Sequence, residues 1–294
     1  MYWKTKAGIF RALSVVPFGD HIHYLLQRTV TRELPRRPEH LDQLVTAART
    51  LHADAQGRIG EDDLGKAMFV EVGAGRDLAV AIALRLLGVG HVASIDITRL
   101  AKLGLIRHAA GHMAERLGTP APEIRSWEDL EAFGITYRAP ETLQGVALPI
   151  GSVDCFFSVD TLEHIPRESL VELFTEAGRI LTSSGLSVHF IDYSDHYARN
   201  SGLSRFNFLK FTAAQWRPYN SRFHYVNRLR HSEYVALFSG QGFKVEASPD
   251  VEPPEPDILA ALAPDFQGFT ERDLFTTRAK IIARPFEFST GVQP

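Results

Sequence analysis

Two glycines and an acidic residue mark the point where an apolar segment changes into a helical one, in the stretch FVEVGAGRDLAVAIAL at residues 69–84. Gly73 and Gly75 permit a tight turn whose backbone amides can approach a ligand closely. Glu71 places a carboxylate two residues before the first glycine, and Ala74 lies inside the turn. The spacing predicts a ligand-binding turn that connects a strand to a helix.

The residues that follow the turn distinguish between two classes of nucleotide ligand. A dinucleotide fingerprint requires a third glycine at position 78, where this chain has Leu78. Asp77 adds a negative charge in the first helical turn, where a pyrophosphate would sit. Adenosylmethionine has no phosphate, and its sulfonium and ammonium groups favour nearby carboxylates. The turn therefore predicts S-adenosyl-L-methionine as cofactor rather than NAD or FAD.

Two further motifs follow the glycine turn along the chain. Asp96, followed by Ile97, ends the apolar segment HVASIDIT, where a carboxylate can accept hydrogen bonds from both ribose hydroxyls of either cofactor class. The stretch SVDCFFSVDTLEHIP at residues 152–166 is an apolar strand that ends at Ser158 and leads through a short turn into a helix.

With these three motifs in order, residues 65–192 resemble class I adenosylmethionine-dependent methyltransferases of the methyltransferase-11 type. That family has an E/D-x-G-x-G turn, an acid at the end of the second strand and a D-x-x-x-S…L-E-H-I segment on the fourth. Its usual third glycine is Asp77 here, and an acid near the adenine would be Glu141 in RAPETLQGVALP. The resemblance implies these cofactor-binding residues: Glu71, Gly73, Ala74, Gly75, Asp96, Ile97, Glu141 and Ser158.

Short apolar segments alternate with helical stretches from Met68 onwards, which indicates a sheet covered by helices. We predict an α/β fold, a Rossmann-like seven-stranded methyltransferase sheet whose last two strands are partly antiparallel. The predicted strands are 68–72, 91–96, 135–138, 153–159, 186–192, 243–250 and 279–286. Residues 1–58 are predicted to form a helical N-terminal lid, and residues 59–294 the methyltransferase domain with a substrate cap inserted at 196–232.

The stretch HFIDYSDHY at residues 189–197 ends the predicted fifth strand, which would lie beside the transferring methyl group. Methyl transfer to a hydroxyl requires removal of its proton, and a histidine oriented by a carboxylate is the commonest base. We predict His196 as this base, His164 as the reserve, and Asp192 or Asp195 as the orienting acid. A magnesium ion on the two aspartates is an alternative, but we assign no metal ligand.

The predicted cap has seven lysines and arginines, no aspartate or glutamate, and eight interleaved aromatic residues. Aromatic faces and guanidinium groups suit an acidic or phosphorylated sugar, and the segment resembles one in methyltransferases of bacterial polysaccharide clusters. The sequence therefore predicts O-methylation of a sugar or glycan hydroxyl, with an anionic acceptor. The predicted acceptor-binding residues are Asn207, Trp216, Asn227, Arg228 and Arg230.

The composition limits the other functions considered. The chain has 294 residues, a formal net charge of −3 and a single cysteine, Cys155, which predicts a cytoplasmic protein without internal disulfides. The negative charge weakens an RNA methyltransferase reading of the basic segment, so nucleic acid is not the expected partner. No apolar run predicts a membrane span. An alternative function is that of an interaction module without a cofactor, in which the basic segments contact an acidic partner or a membrane surface.

Overall fold

A mixed sheet forms the centre of the computed structural model, which describes residues 2–199 and 202–286. Within these residues the sheet has seven strands in the order β3-β2-β1-β4-β5-β7-β6. The strands are β1 (Met68–Val72), β2 (His91–Ile95), β3 (Ile135–Arg138), β4 (Val153–Val159), β5 (Leu181–Asp192), β6 (Phe243–Val251) and β7 (Thr276–Pro285). The first five run parallel, and β7 is antiparallel to both its neighbours. This topology confirms the predicted seven-stranded Rossmann-like fold.

Helices cover both faces of the sheet, which explains why its central strands are apolar on both sides. The helices in the described residues are α1 (Tyr2–Val15), α2 (Gly19–Thr29), α3 (Pro38–Ile59), α4 (Glu61–Leu64), α5 (Ala79–Leu86), α6 (Leu103–Leu117), α7 (Trp127–Ala132), α8 (Arg167–Ile180), α9 (Ala213–Trp216), α10 (His231–Gly240), α11 (Pro256–Ala260) and α12 (Glu271–Leu274). On one face α3, α5 and α6 pack together, and α8 and α10 contribute to the core of the other.

The third helix belongs with the sheet rather than with a lid. Leu41, Ala48 and Leu51 of α3 are completely buried in the core beneath α5 and α6. The predicted boundary after residue 58 therefore lies at the end of a helix that is part of the central layers. Among the predicted lid residues, α1 and α2 are the helices that lie outside these layers, and α1 contacts the cap.

The cap between β5 and α10 packs around its own aromatic core. Tyr197, Phe206, Phe208 and Trp216 are buried there with Trp3 of α1. The ring centroids of Trp3 and Tyr219 are 4.7 Å apart. Most of the aromatic residues that the sequence suggested for stacking against a sugar therefore stabilise the cap itself.

No helix in the part of the chain that the structure describes is both long enough and apolar enough to cross a membrane.

Arg230 of the cap also has a structural role. Its side chain is fully buried, and its guanidinium donates hydrogen bonds to the backbone carbonyls of Tyr193, Asp273, Leu274 and Thr276 at distances of 2.8–3.3 Å. It thus ties the end of β5 to the start of β7. The prediction that Arg230 binds an acceptor is wrong, because its donors are already used inside the protein.

We expect Arg230→Met to lower the free energy of unfolding by at least about 3 kcal/mol, because several buried carbonyls lose their donor. Urea denaturation of the two proteins measures the difference. Arg217→Met, at an exposed position of the same segment, serves as the control and should change stability by less than about 0.5 kcal/mol. A folded Arg230→Met variant as stable as the parent would contradict this role.

Candidate active site at the carboxyl edge of the sheet

The parallel strands β1 to β5 bring most of the predicted site residues to one edge of the sheet. The glycine turn follows β1, Asp96 follows β2, Glu141 lies just after β3, and Glu163 and His164 follow β4. In open α/β sheets this edge is where ligands bind. The backbone amide of Glu141 donates to the carbonyl of Asp96 (2.9 Å), which places the loop after β3 against the end of β2.

The glycine turn has the backbone conformation that the sequence predicts. Gly73 and Gly75 have φ angles of 82° and 67°, which favour glycine. A side chain at Gly73 would also overlap Thr161 from the β4 end. Asp96 holds the turn, since its carboxylate accepts hydrogen bonds from the amides of Gly75 (3.3 Å) and Thr98 (2.9 Å). Asp96 therefore fixes the turn relative to the neighbouring strand.

Glu71 is buried below the turn with only 4% of its surface exposed. The hydroxyl of Ser94 on β2 donates to its carboxylate at 2.6 Å. Burial is the main cause that raises the pKa of Glu71 to about 7, from an ordinary value of 4.5. The negative charges of Asp77 and Asp96 act in the same direction. Glu71 is thus poised to ionise when a cation comes close to it.

An arginine from the N-terminal segment lies over the turn. Arg36 forms an ion pair with the buried Asp77, with 3.0 Å between Nε and Oδ2, and its positive charge opposes the rise in the pKa of Glu71. A cavity of about 30 Å³ is lined by Arg36, Glu71, Ala74 and Asp77. A cationic group of the chain itself therefore occupies the acidic pocket above the turn.

Two residues of the predicted cofactor set differ in their surroundings. Ile97 is 74% exposed at the rim of the edge. Ser158, by contrast, is completely buried, and its hydroxyl lies 2.7 Å from Nδ1 of His189. Ser187 contacts the other ring nitrogen of His189 at 2.6 Å. The Ser158 hydroxyl is thus engaged in a polar chain inside the sheet, which does not agree with the predicted cofactor contact.

Glu163, His164 and His196 come together beside the β4 and β5 ends, and we call them the polar cluster. One ligand atom from each lies within 4.8 Å of the others, so the cluster could hold a metal ion. The rings of His164 and His196 are 4.9 Å apart. Partial desolvation, followed by the neighbouring His196, lowers the pKa of His164, although an edge of the ring is exposed, so this imidazole is neutral at pH 7 and can act as a Lewis base.

Two residues of the cap, Tyr225 and Asn227, position the polar cluster through hydrogen bonds that involve backbone carbonyls. Nδ1 of His164 lies 2.6 Å from the carbonyl of Tyr225, to which it donates when protonated there. The side-chain amide of Asn227 donates to the carbonyls of Leu162 (2.9 Å) and Ile165 (2.8 Å), on either side of the cluster residues. Asn227, predicted to bind an acceptor, instead holds the turn that carries Glu163 and His164.

The two aspartates after β5 have separate partners. Asp192 accepts hydrogen bonds from Arg199 (2.6 Å) and Ser194, and lies 3.5 Å from Nε2 of His196. Burial alone would raise the pKa of Asp192, but His196, Ser194 and Arg199 outweigh it and hold the pKa below its usual range. Asp192 is thus the acid placed to orient His196.

Asp195 is buried and faces a different part of the cap. Its carboxylate accepts hydrogen bonds from the amide of Tyr197 (2.8 Å) and the side chain of Asn207 (3.0 Å). These contacts correct two predictions, because Asn207 supports Asp195 rather than an acceptor, and Asp195 supports the cap rather than His196. The two aspartates consequently offer no shared site for magnesium.

The charge of the cap is partly neutralised in space although it is segregated in sequence. Arg199 pairs with Asp192, Arg205 with Glu252, and Arg222 with Asp20. The guanidinium of Arg228 donates to the carbonyls of Phe208 and Phe211 and lies over the rings of Trp216 and Phe266. The basic segment therefore balances acids of other elements, which removes the basis for predicting an anionic acceptor from Arg228, Arg230 and Trp216.

Sequence reasoning missed Arg36 and Glu163 as parts of the site. Arg36 lies in a proline-rich connection with no motif around it, so only the tertiary contact with Asp77 reveals it. Glu163 is visible in the LEHI motif, yet a carboxylate at a helix start is normally a solvated or capping group. Its complete burial depends on how the cap closes over β4.

The comparisons with known proteins find distant structural similarity only. No protein-family model and no curated protein matches the sequence. The YcgJ protein from Bacillus subtilis is 15% identical over 75% of this chain and 92% of its own, with a TM-score of 0.42. Geranyl diphosphate C-methyltransferase from Streptomyces coelicolor A3(2) is 15% identical over 80% and 77% of the two chains, with a TM-score of 0.43. An adenosylmethionine-dependent methyltransferase from Mesorhizobium loti is 16% identical over 81% and 96%, with a TM-score of 0.42.

The buried carboxyl of Glu71 makes a pH-dependent contribution to stability. Because its folded pKa of about 7 exceeds the ordinary value of 4.5, this contribution is present below about pH 4.5 and is lost as the pH rises through about 7. Ionisation of Glu71 should lower the unfolding free energy of the parent by on the order of 3 kcal/mol between pH 4.5 and 8. We expect this decrease to be absent in Glu71→Gln.

Urea denaturation of parent and variant across this pH range measures the effect, and Glu172→Gln at an exposed site on α8 is the control. The parent and Glu71→Gln curves should converge at low pH and separate at high pH, with the variant more stable at high pH. Parallel curves would show that Glu71 ionises normally.

Proposed function

We propose that this protein is an adenosylmethionine-dependent methyltransferase. The observation that carries the proposal is the acidic glycine turn, in which Glu71, Asp77 and Asp96 surround two glycines with positive φ at the carboxyl edge of the sheet. The Arg36 guanidinium seated on Asp77 supports a pocket that accepts a cation. A pyrophosphate would meet three carboxylates in the same place, which disfavours a dinucleotide.

Different acidic residues around the turn would contact different parts of such a cofactor. Asp96 can accept hydrogen bonds from the two ribose hydroxyls, and Glu71 and Asp77 attract the positively charged methionine part. The cavity of about 30 Å³ is much smaller than a ligand pocket of several hundred Å³, so Arg36 and the N-terminal segment must move aside on binding. When bound, adenosylmethionine supplies an electrophilic methyl group.

The acceptor is proposed to reach the polar cluster, because the cluster lies at the same edge, beside the ends of β4 and β5. Glu163, His164 and His196 present a carboxyl group and two imidazoles, and such groups assist the loss of a proton from a hydroxyl. We therefore propose O-methylation of a small molecule, with a sugar or glycan hydroxyl as the first class to test. Transfer of label from methyl-labelled adenosylmethionine to nucleotide sugars and lipid-linked glycans provides that test.

The cofactor proposal predicts a graded loss of affinity at Asp96. Asp96→Ala removes the acceptor of the ribose hydroxyls at a cost of about 1–3 kcal/mol, so the dissociation constant of adenosylmethionine should rise about 5- to 150-fold. Asp96→Asn retains one carbonyl oxygen and should lie between parent and alanine variant. Calorimetry measures the three constants, with Asp62→Ala on the exposed α4 as control.

Circular dichroism establishes whether each variant keeps its fold. An unchanged dissociation constant in a folded Asp96→Ala protein would remove Asp96 from the cofactor site. No measurable heat for the parent protein at millimolar adenosylmethionine would overturn the methyltransferase proposal and favour an interaction module.

The acceptor proposal predicts a separate effect at His196. His196→Asn should lower kcat by at least about 10²-fold and leave the dissociation constant of adenosylmethionine unchanged, because His196 does not contact the glycine turn. The label-transfer assay gives kcat once an acceptor is found, and His108→Asn at an exposed position on α6 is the control. Normal turnover in a folded His196→Asn variant would move the acceptor away from the polar cluster.

A further inference from the structure

Glu163 is a buried carboxyl group without a partner. Its side chain is 2% exposed, and neither oxygen has a hydrogen-bond partner among the described residues. Burial without a partner is costly for a carboxylate, and such groups in native structures mark a bound ion, a water or a functional site. Burial raises the pKa of Glu163 well above its ordinary value, so a proton or a bound cation compensates its charge.

The positive charges near Glu163 are already used. Arg278 donates two hydrogen bonds of 2.7 Å to Asp160, and Arg199 pairs with Asp192 at 2.6 Å. Both acids lie close enough to disfavour the charged form of Glu163. Of the three carboxyl groups gathered here, Glu163 is the one that no described side chain neutralises. A cation bound here would therefore meet a carboxyl group that is free of an ion pair.

Each of the two histidines in the polar cluster has a ring nitrogen within 4.8 Å of the other and of a Glu163 oxygen. Nε2 of His196 is buried and makes no hydrogen bond within the described chain, and the nearest acid, Asp192, lies 3.5 Å from it. The contact of Nδ1 of His164 with the Tyr225 carbonyl leaves Nε2 as the basic nitrogen of that ring. This kind of contact commonly orients a metal-binding histidine. The exposed edge of His164 gives an ion a route to the cluster.

From this geometry we infer that Glu163, His164 and His196 form a binding site for a divalent transition-metal ion. Two imidazoles and one carboxylate favour Zn²⁺ or a neighbouring ion such as Co²⁺ over Mg²⁺ and Ca²⁺, which prefer oxygen ligands. The ligand atoms lie within 4.8 Å of one another, and a tetrahedral ion with bonds of about 2.1 Å would draw them to roughly 3.4 Å. Small side-chain rotations suffice for this change.

An ion at this site leaves a coordination position open, because the chain supplies three ligands. That position lies where the proposed acceptor hydroxyl is expected, and coordination lowers the pKa of a bound hydroxyl. This role of the ion rests on the proposed function, whereas binding of the ion does not. Asp192 lies 3.5 Å from Nε2 of His196 and adds a negative charge beside the site, which attracts a cation.

Titration of the chelator-treated, full-length protein with Co²⁺ tests the inference, because Co²⁺ bound to nitrogen and oxygen ligands absorbs visible light. We expect one strong site in the parent. Glu163→Gln, His164→Asn and His196→Asn should each weaken Co²⁺ binding at least about 100-fold, since loss of an outer partner alone costs about 10- to 100-fold. His40→Asn, at an exposed position on α3, is the control for surface histidines and should bind as the parent does.

A thermal readout separates lost ligands from lost folding. Zn²⁺ should raise the Tm of the parent and of His40→Asn but not that of Glu163→Gln, whose metal-free form should be folded because the substitution removes a buried acid. Parent-like Co²⁺ affinity in Glu163→Gln, or no saturable Co²⁺ site in the parent, would overturn the inference.

Calorimetry with adenosylmethionine on the same metal-free protein distinguishes this failure from failure of the proposed function. Cofactor binding without metal binding would leave an imidazole of the polar cluster as the base, and metal binding without cofactor binding would leave a metal site in a protein of another function.

Discussion

The common direction of β1 to β5 is the constraint on which the site depends. Because these strands are parallel, their carboxyl ends meet at one edge, and residues as far apart in sequence as Glu71 and Phe157 become neighbours. The Asp96 carboxylate then converts this proximity into a defined geometry by holding the amide of Gly75 across the gap between β1 and β2. The glycine turn, the polar cluster and the loop after β3 all take their places from this edge.

Burial of charge without full compensation distinguishes the site from the rest of the protein. At the cap, Arg230 is fully buried and its donors meet four carbonyls, so its burial contributes to stability. At the site, Glu71 has the Ser94 hydroxyl and Glu163 has no described partner. A protein retains such groups at a cost in free energy where they interact with something bound. One of these carboxyls faces the proposed cofactor and the other the proposed metal ion and acceptor.

The N-terminal segment and the cap close the edge from above. Arg36 covers the glycine turn through Asp77, and Trp3 anchors α1 in the aromatic core of the cap. The same cap holds the polar cluster through Tyr225 and Asn227. The cap is therefore in contact both with α1 and with the turn that carries the cluster residues.

The sequence by itself determined the strands, their order of appearance and the glycine turn, because these features depend on local periodicity and on the backbone conformations that glycine permits. Glu71, Asp96, His164 and His196 could be placed at strand ends for the same reason.

The roles of Ser158, Asn227, Arg228 and Arg230 were decided by the tertiary structure alone. Whether a hydroxyl, an amide or a guanidinium is free depends on which carbonyls and acids surround it after folding, and those partners come from distant parts of the chain. The seven cationic residues of the cap look unpaired in sequence, but several find acids on other elements in space. The isolation of Glu163 likewise exists only once Arg278 and Arg199 have bound the two acids beside it.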